Sequence, residues 1–426
     1  MTIVLKFLSW ILQATSENPK TKACAFDKSG VYTRQMSILS KARNAEFGVF
    51  GGCLHRVSTV AAILSLLMTG TALGQESEDS RIEIEADIVG VLQSSPGYTG
   101  QFGDTDSSTE ATVFFDLALT TRPWESGTAY ARFKAGLGDG IDDAIPTFSI
   151  FNAAAIGSLV RLDEAWYEHA FGKKARLRGG KMDFTMIFDS NAVANDEYEQ
   201  FLSDGFVNNI AVEFPDEIGL GAMLWVSPNT FFDIGVGLAD AVGEWDDVFN
   251  SYFSILELGI KPEIAGKQGN YRVYGWHNSK DHARLISPES DTASNYGFGL
   301  SADQEIADGV TLFTRYGHQR GNVSPVEHAW SAGVGISGKF AGRGDDTLGL
   351  AYGQAIMGKD WKSLDQYTGM DSGRENRLEI YYNIKTNNYL NIAPNLQWVK
   401  NPMGDKENSS TWAFGVRAYL NLARGW

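Results

Sequence analysis

From Thr411 to Leu422 apolar and polar residues alternate without a break. Trp412, Phe414, Val416, Ala418, Leu420 and Leu422 share one face, and Thr411, Ala413, Gly415, Arg417, Tyr419 and Asn421 share the other. A period of two belongs to a β-strand. The run is about twice as long as a common soluble strand and matches the roughly 9–11 residues that a tilted strand needs to cross a bilayer. The same pattern recurs along the chain. Leu378, Ile380, Tyr382 and Ile384 alternate with Arg377, Glu379, Tyr381 and Asn383, and Leu390, Ile392, Leu396 and Trp398 with Asn391, Asn395 and Gln397. Trp330, Ala332, Val334 and Ile336 alternate with Ser331, Gly333, Gly335 and Ser337, and Ile82, Ile84, Ala86 and Ile88 with Glu83, Glu85 and Asp87. Counted from residue 82, such segments number about 16.

In lipid every backbone donor and acceptor must be paired within the protein, so strands that cross must close on themselves. One face must then be apolar, and the other can be polar only where it lines water. A soluble β-sandwich would use shorter strands and bury one face of each sheet. The pattern predicts an all-β chain folded as a transmembrane antiparallel up-and-down β-barrel of about 16 strands. Glycines on the inner faces are expected to leave room in the lumen. Tryptophans at segment ends (Trp124, Trp225, Trp330, Trp398, Trp412 and Trp426) suit the interface between hydrocarbon and headgroups.

The N-terminal part reads differently. Val57 to Leu73 is the one marked apolar block, preceded by Lys41, Arg43 and Arg56 and closed by Ala72, Leu73 and Gly74. A basic flank, a short apolar core and a small-residue end mark a secretory signal peptide. The block is shorter than the roughly 20 apolar residues of a spanning helix. Residues 1–74 are therefore expected to be a leader cut after Gly74, and residues 75–426 a single barrel domain. Residues 1–50 are polar and aperiodic, and read either as a long leader or as the product of an early start codon, with Met36 the later candidate.

That cut sharpens the chemistry. Cys24 and Cys53 both precede it, so the mature chain has no disulfide or thiolate site. The whole chain carries 36 basic and 52 acidic residues, of which eight and three precede the cut, leaving 28 against 49, a net of −21. An acidic surface excludes nucleic acid as a partner. Two stretches break the strand rhythm: residues 138–158 are long and irregular, and residues 191–205 read as a short helix or ordered loop. Long loops of a barrel fold inward to constrict the bore or cap its outer mouth.

Several segments in order resemble the carbohydrate-selective porins of the OprB type. They are Asp163 to Trp166, Leu177 to Asp183, Phe188 to Asn191, Gln200 to Ser203, Gly309 to Gly317, Ala341 to Gly353, Glu375 to Tyr382 and Ile392 to Gly404. The resemblance spans roughly residues 80–426. It implies a fold of outer-membrane porin type, a Gram-negative outer-membrane location, assembly by the barrel-assembly machinery as a monomer or trimer, and diffusion of small sugars. The chain ends on Trp426, where such barrels more often end on phenylalanine.

A sugar offers hydroxyls that donate and accept, and C–H faces that stack on rings. Strand parity places Arg132, Arg178, Glu257, Arg272, Arg315, Glu379 and Arg417 on lumen faces. Trp276 shares a face with Arg272 two pleats away, an arrangement suited to a sugar ring. Around Glu164 and Trp166 the alternation is ambiguous, and a bulge there would flip the assignment. No cofactor is expected. His277, His282, His318 and His328 show no metal-ligand spacing, and no nucleophile elbow or phosphate loop appears. The run Asp139 to Asp143 lacks the remaining ligands of a calcium loop and reads as a solvated acidic loop. An outer-membrane barrel enzyme thus lacks its catalytic set. The remaining alternative to a sugar-preferring pore is a general, cation-preferring pore for other small solutes, which the net charge favours.

The leader sets one expected outcome. N-terminal sequencing of the envelope-associated protein should begin at or near Gln75, and residues 1–74 still attached would refute the assigned cut.

Overall fold

The computed structural model describes residues 81–425 apart from 101–102, 216–217, 244–247 and 288–290. The leader, its apolar block, the cut after Gly74 and Trp426 lie outside the described residues. The long alternating segments form sixteen barrel strands: β1 (Ile82–Ser95), β2 (Ser108–Trp124), β3 (Gly127–Leu137), β4 (Val160–Phe171), β5 (Ala175–Met182), β6 (Gly219–Val226), β7 (Phe232–Asp240), β8 (Tyr252–Ile260), β9 (Lys267–Ala283), β10 (Thr292–Ala307), β11 (Val310–Gln319), β12 (Val326–Ser337), β13 (Thr347–Met357), β14 (Arg374–Lys385), β15 (Leu390–Lys400) and β16 (Thr411–Gly425). A two-residue piece, Glu263–Ile264, pairs back on the start of β9. Every sequential pair is antiparallel. β1 closes the ring on β16, in register from Glu83↔Gly425 to Ser94↔Phe414.

Connections alternate in length. Short turns such as 125–126 and 308–309 lie at the end where β1 begins and β16 finishes, and long loops such as 138–159, 183–218 and 358–373 lie at the other. In outer-membrane barrels the short turns are periplasmic and the long loops extracellular.

The faces follow the sequence pattern. On β16, Phe414 and Val416 are 58% and 47% exposed on the outside, whereas Ala413 and Arg417 are buried inside. Leu256 and Leu258 on β8 and Leu300 on β10 continue the outer apolar band. Of the tryptophans, Trp124 is exposed at the short-turn rim. Trp398 and Trp412 pair across strands near the opposite rim. Trp225 departs from the expected belt: it turns inward against Phe188, ring centres 6.0 Å apart.

The core is inside the barrel. Both irregular stretches fold into the bore, and residues 191–205 form an ordered loop with a helical turn only at Asp204–Val207. Phe184 and Phe188 pack on Met223, Phe253 and Trp276, and Phe201 and Phe206 on Phe313 and Tyr381. Ile141, Ile145 and Phe151 pack on Val399 and Ala413. Several inward glycines make room for these loops. A Cβ at Gly237 would lie 2.5 Å from the Phe184 ring, and one at Gly335 2.9 Å from Val193.

The face assignment is checked by one side chain placed twice. Val416→Arg puts a cation on the outer band near mid-height, at a cost of about 2–4 kcal/mol for a cation facing the bilayer midplane. Glu85→Arg puts it on the inner face. Heat-modifiable migration in gels should be lost or reduced for the first and retained for the second.

Candidate functional site at the pore neck

The strands supply a ring of inward charges, and the loops decide which of them meet solvent. Four of the eight residues expected on the lumen hold loop backbone. Glu379 on β14 is 0% exposed and accepts the Leu202 and Ser203 N–H groups at 2.6 and 3.0 Å. Arg315 on β11 donates to the carbonyls of Ala194 and Phe206, to that of Asp189 at 2.8 Å, and to Asn195 Oδ1 at 3.0 Å. Arg417 on β16 donates to the Glu197 and Gln200 carbonyls at 2.7 and 2.9 Å. Glu257 on β8 accepts the Asp189 N–H at 2.8 Å.

Two further clamps escaped the sequence reading. Arg377 donates to the Ile150 carbonyl at 2.6 Å and to Ser203 Oγ at 2.7 Å, and Glu375 accepts the Phe148 and Ser149 N–H groups at 2.9 and 3.0 Å. Alternation puts Arg377 on the polar face, but nothing in the spacing of either residue distinguishes a clamp from a solvated charge. Asp142, expected in a solvated loop, instead accepts the Phe151 and Asn152 N–H groups at 2.5 and 3.1 Å. Burial raises its carboxyl to about 6.

Trp276 is 4% exposed, stacked on Phe253 at 6.2 Å and covered by the inward loop. Arg272 bonds Asp303 at 3.2 Å and lies 3.8 Å from Glu257. The two share a face, as parity implied, but the tryptophan ring has no open side toward water.

Arg272 keeps 14% of its side chain exposed, and a second accessible part of the wall is on β3 to β5. The β3–β4 ladder slips between Arg132 and Phe133, so that Asp163 is an extra residue and both Asp163 and Glu164 turn inward. This is the bulge that the ambiguous alternation allowed. Arg132 bonds Asp163 at 3.0 Å and Glu164 at 2.8 Å, and Lys134 lies 3.4 Å from Asp163. Trp166 donates to Glu164 at 3.1 Å. Its ring stacks on Tyr130 at 4.9 Å and 23°, with the Arg178 guanidinium 3.7 Å from its centre. Arg178 is paired with Glu168 at 3.0 Å. Arg132 and Arg178 keep 14% and 17% of their side chains exposed, against 2% for Arg315. Beside this cluster, on the adjacent strand β2, the loop reaches the wall where Tyr198 donates to Asp116, the cross-strand partner of Lys134, at 2.7 Å. Burial there raises the neighbouring Glu197 to about 7, with Lys134 opposing the shift and Asp196 adding to it.

A closed sixteen-strand barrel with loops folded into its bore is the architecture of an outer-membrane porin. The chain belongs to the carbohydrate-selective porin, OprB family, whose model matches residues 103–422, and its place is the outer membrane of a Gram-negative cell. It is 23% identical over 198 residues to Porin B of Pseudomonas aeruginosa, covering 38% of this chain and 43% of that protein. It is 22% identical over 326 residues to Porin AaxA of Chlamydia trachomatis, covering 74% and 65%. The chain thus spans about half the length of the first curated relatives it matches. A structure of Pseudomonas putida OprB at high pH superposes with a TM-score of 0.69 at 17% identity, over 81% of this chain and 95% of that one, which shows the shared fold.

The clamps generate a direct test. Glu379→Ala strands two loop N–H groups and Asn395, whose amide also donates to Glu379 at 2.5 Å. Each unsatisfied buried donor costs about 1–3 kcal/mol. Single-channel records should show a larger and noisier conductance, with heat-modifiable migration retained. A quiet, unchanged conductance would mean that the loop does not depend on this clamp.

Proposed function

We propose that the protein is a passive diffusion channel whose neck prefers small sugars. The observation that carries this reading is the Tyr130–Trp166–Arg178 stack, bordered by Arg132, Asp163, Glu164 and Glu168. Rings and a guanidinium plane offer a flat strip for C–H faces, while the bordering groups donate to and accept from hydroxyls. The charges are paired at 2.8–3.0 Å, so the strip presents little net field to an ion, and Glu197 gives up part of its charge near neutrality. In this reading Arg132 and Arg178 meet the solute, Arg272 is a further contact, and Trp276, Glu257, Arg315, Glu379 and Arg417 hold the loop that sets the bore. The outer apolar band faces outer-membrane lipid, the barrel-assembly machinery inserts the chain, and the mature protein begins near Gln75, as a monomer or a trimer.

The excess of acidic residues favours the other reading, a general cation-preferring pore. Liposome swelling with sugars, amino acids and salts of matched size separates the two, since only the first gives a faster rate for sugars. Within the channel, Trp166→Ala should weaken sugar block of single-channel current several-fold, with ionic conductance the same or higher. Trp276→Ala should lower the yield of folded protein, as a buried Trp→Ala change costs about 3–5 kcal/mol, and leave sugar block of the surviving channels unaltered. Undiminished block in Trp166→Ala would remove the stack from the solute path.

A further inference from the structure

A cluster on the outside of the barrel takes no part in the neck. His318 on β11 and His328 on β12 are direct cross-strand partners, with ring centres 4.7 Å apart and planes 30° apart. Their chain neighbours Gln319 and Ala329 are buried on the inside, so the two imidazoles stand outside, one or two residues below the extracellular end of their strands. The β12–β13 ladder slips between Val326 and His328, which makes Glu327 the extra residue of a bulge. Its carboxylate joins the pair: one ligand-capable atom from each of His318, Glu327 and His328 lies within 4.8 Å of the other two.

Two details point to a ligand. His318 Nδ1 is buried and has no hydrogen-bond partner among the described residues, an arrangement that costs free energy unless something fills it. The Tyr316 hydroxyl lies 2.9 Å from His328 Nδ1, as a hydroxyl behind a metal-binding imidazole does when it fixes the ring and its tautomer. Two imidazole nitrogens and a carboxylate oxygen are a donor set for borderline divalent ions such as zinc. A tetrahedral ion with ligands at 2.0–2.1 Å holds them about 3.3 Å apart, so the three groups have to close by no more than about 1.5 Å. Side-chain rotation supplies that without moving the strands.

We infer that His318, Glu327 and His328 form a binding site for a divalent transition-metal ion at the outer rim, with the fourth position open to water or an external donor. The ion would fasten the β11–β12 hairpin at its loop end. The other interpretation is that these rings, with Phe298 and Tyr316 beside them, only extend the aromatic belt.

Titration of zinc chloride into the tag-free protein folded in detergent, followed by calorimetry, separates the two. One saturable site per chain is expected, weakened at least tenfold in His318→Ala and in His328→Ala and several-fold in Glu327→Gln, with heat-modifiable migration intact. Cobalt(II) added to the unaltered protein should give visible absorption of tetrahedral nitrogen and oxygen coordination, a measurement that requires no variant to fold. No saturable zinc binding, no such spectrum, or binding undiminished by the histidine substitutions would overturn the site.

Discussion

The structure depends on the pairing of β1 with β16. A sheet with two free edges would expose rows of unpaired N–H and C=O groups to hydrocarbon, at several kcal/mol each. The twelve residue pairs from Glu83↔Gly425 to Ser94↔Phe414 remove those edges. Closure then fixes everything radial, because each strand residue points either to the outside or to the bore. It explains why so many strands share the β16 pattern, and why a buried core can exist only inside the ring. The apolar side chains that would hold a soluble fold together are here divided between the outer band and the packing of two loops.

Those loops bring a second demand. Residues 183–215 contain little regular structure, so their backbone groups lack the partners that a helix or sheet would provide. Irregular backbone at membrane depth is tolerated where protein buries it or water reaches it. The wall meets this demand with charges. Arg315, Arg417 and Glu379 spend their hydrogen bonds mainly on loop carbonyls and N–H groups, and Arg377 bonds one loop carbonyl, two loop hydroxyls and the Gln397 amide oxygen. Taking such a charge out of water costs several kcal/mol, and a bond to a charged group returns about 1.5–3 kcal/mol. Several bonds per side chain are therefore required for each clamp to hold, and Arg315 and Arg377 each make at least four. One consequence is that an inward charge in this barrel is first a structural part, and meets solute only where the loops leave it uncovered.

Strand number, face and inward orientation were legible in the sequence because a period of two is local: each residue's neighbours two positions away carry the information. The clamps were not. Arg315 reaches Asp189 across 126 positions of chain, and Arg377 reaches Ile150 across 227. Parity could say that Arg315 and Trp276 point inward, but not that a loop would lie over them. The inward glycines carried a weak signal of that cover. Gly235, Gly237, Gly317 and Gly335 sit where Phe184, Phe188, Asn209 and Val193 approach, and a water-filled bore would have no need of such space.

Bulges mark the places where parity alone fails, and in this chain they mark the two clusters of chemical interest. At Asp163 the extra residue brings two consecutive acids, Asp163 and Glu164, onto the inner face, which lets them share Arg132 and orient Trp166. At Glu327 the extra residue brings a carboxylate beside a histidine that already faces another across the strand pair. A regular ladder sends adjacent residues to opposite faces, so neither cluster could form without the slip. An inserted residue costs ladder pairing. At Asp163 a group of ion pairs offsets that cost, whereas at Glu327 the buried His318 nitrogen without a partner among the described residues adds to it, and the inferred metal ion would offset both.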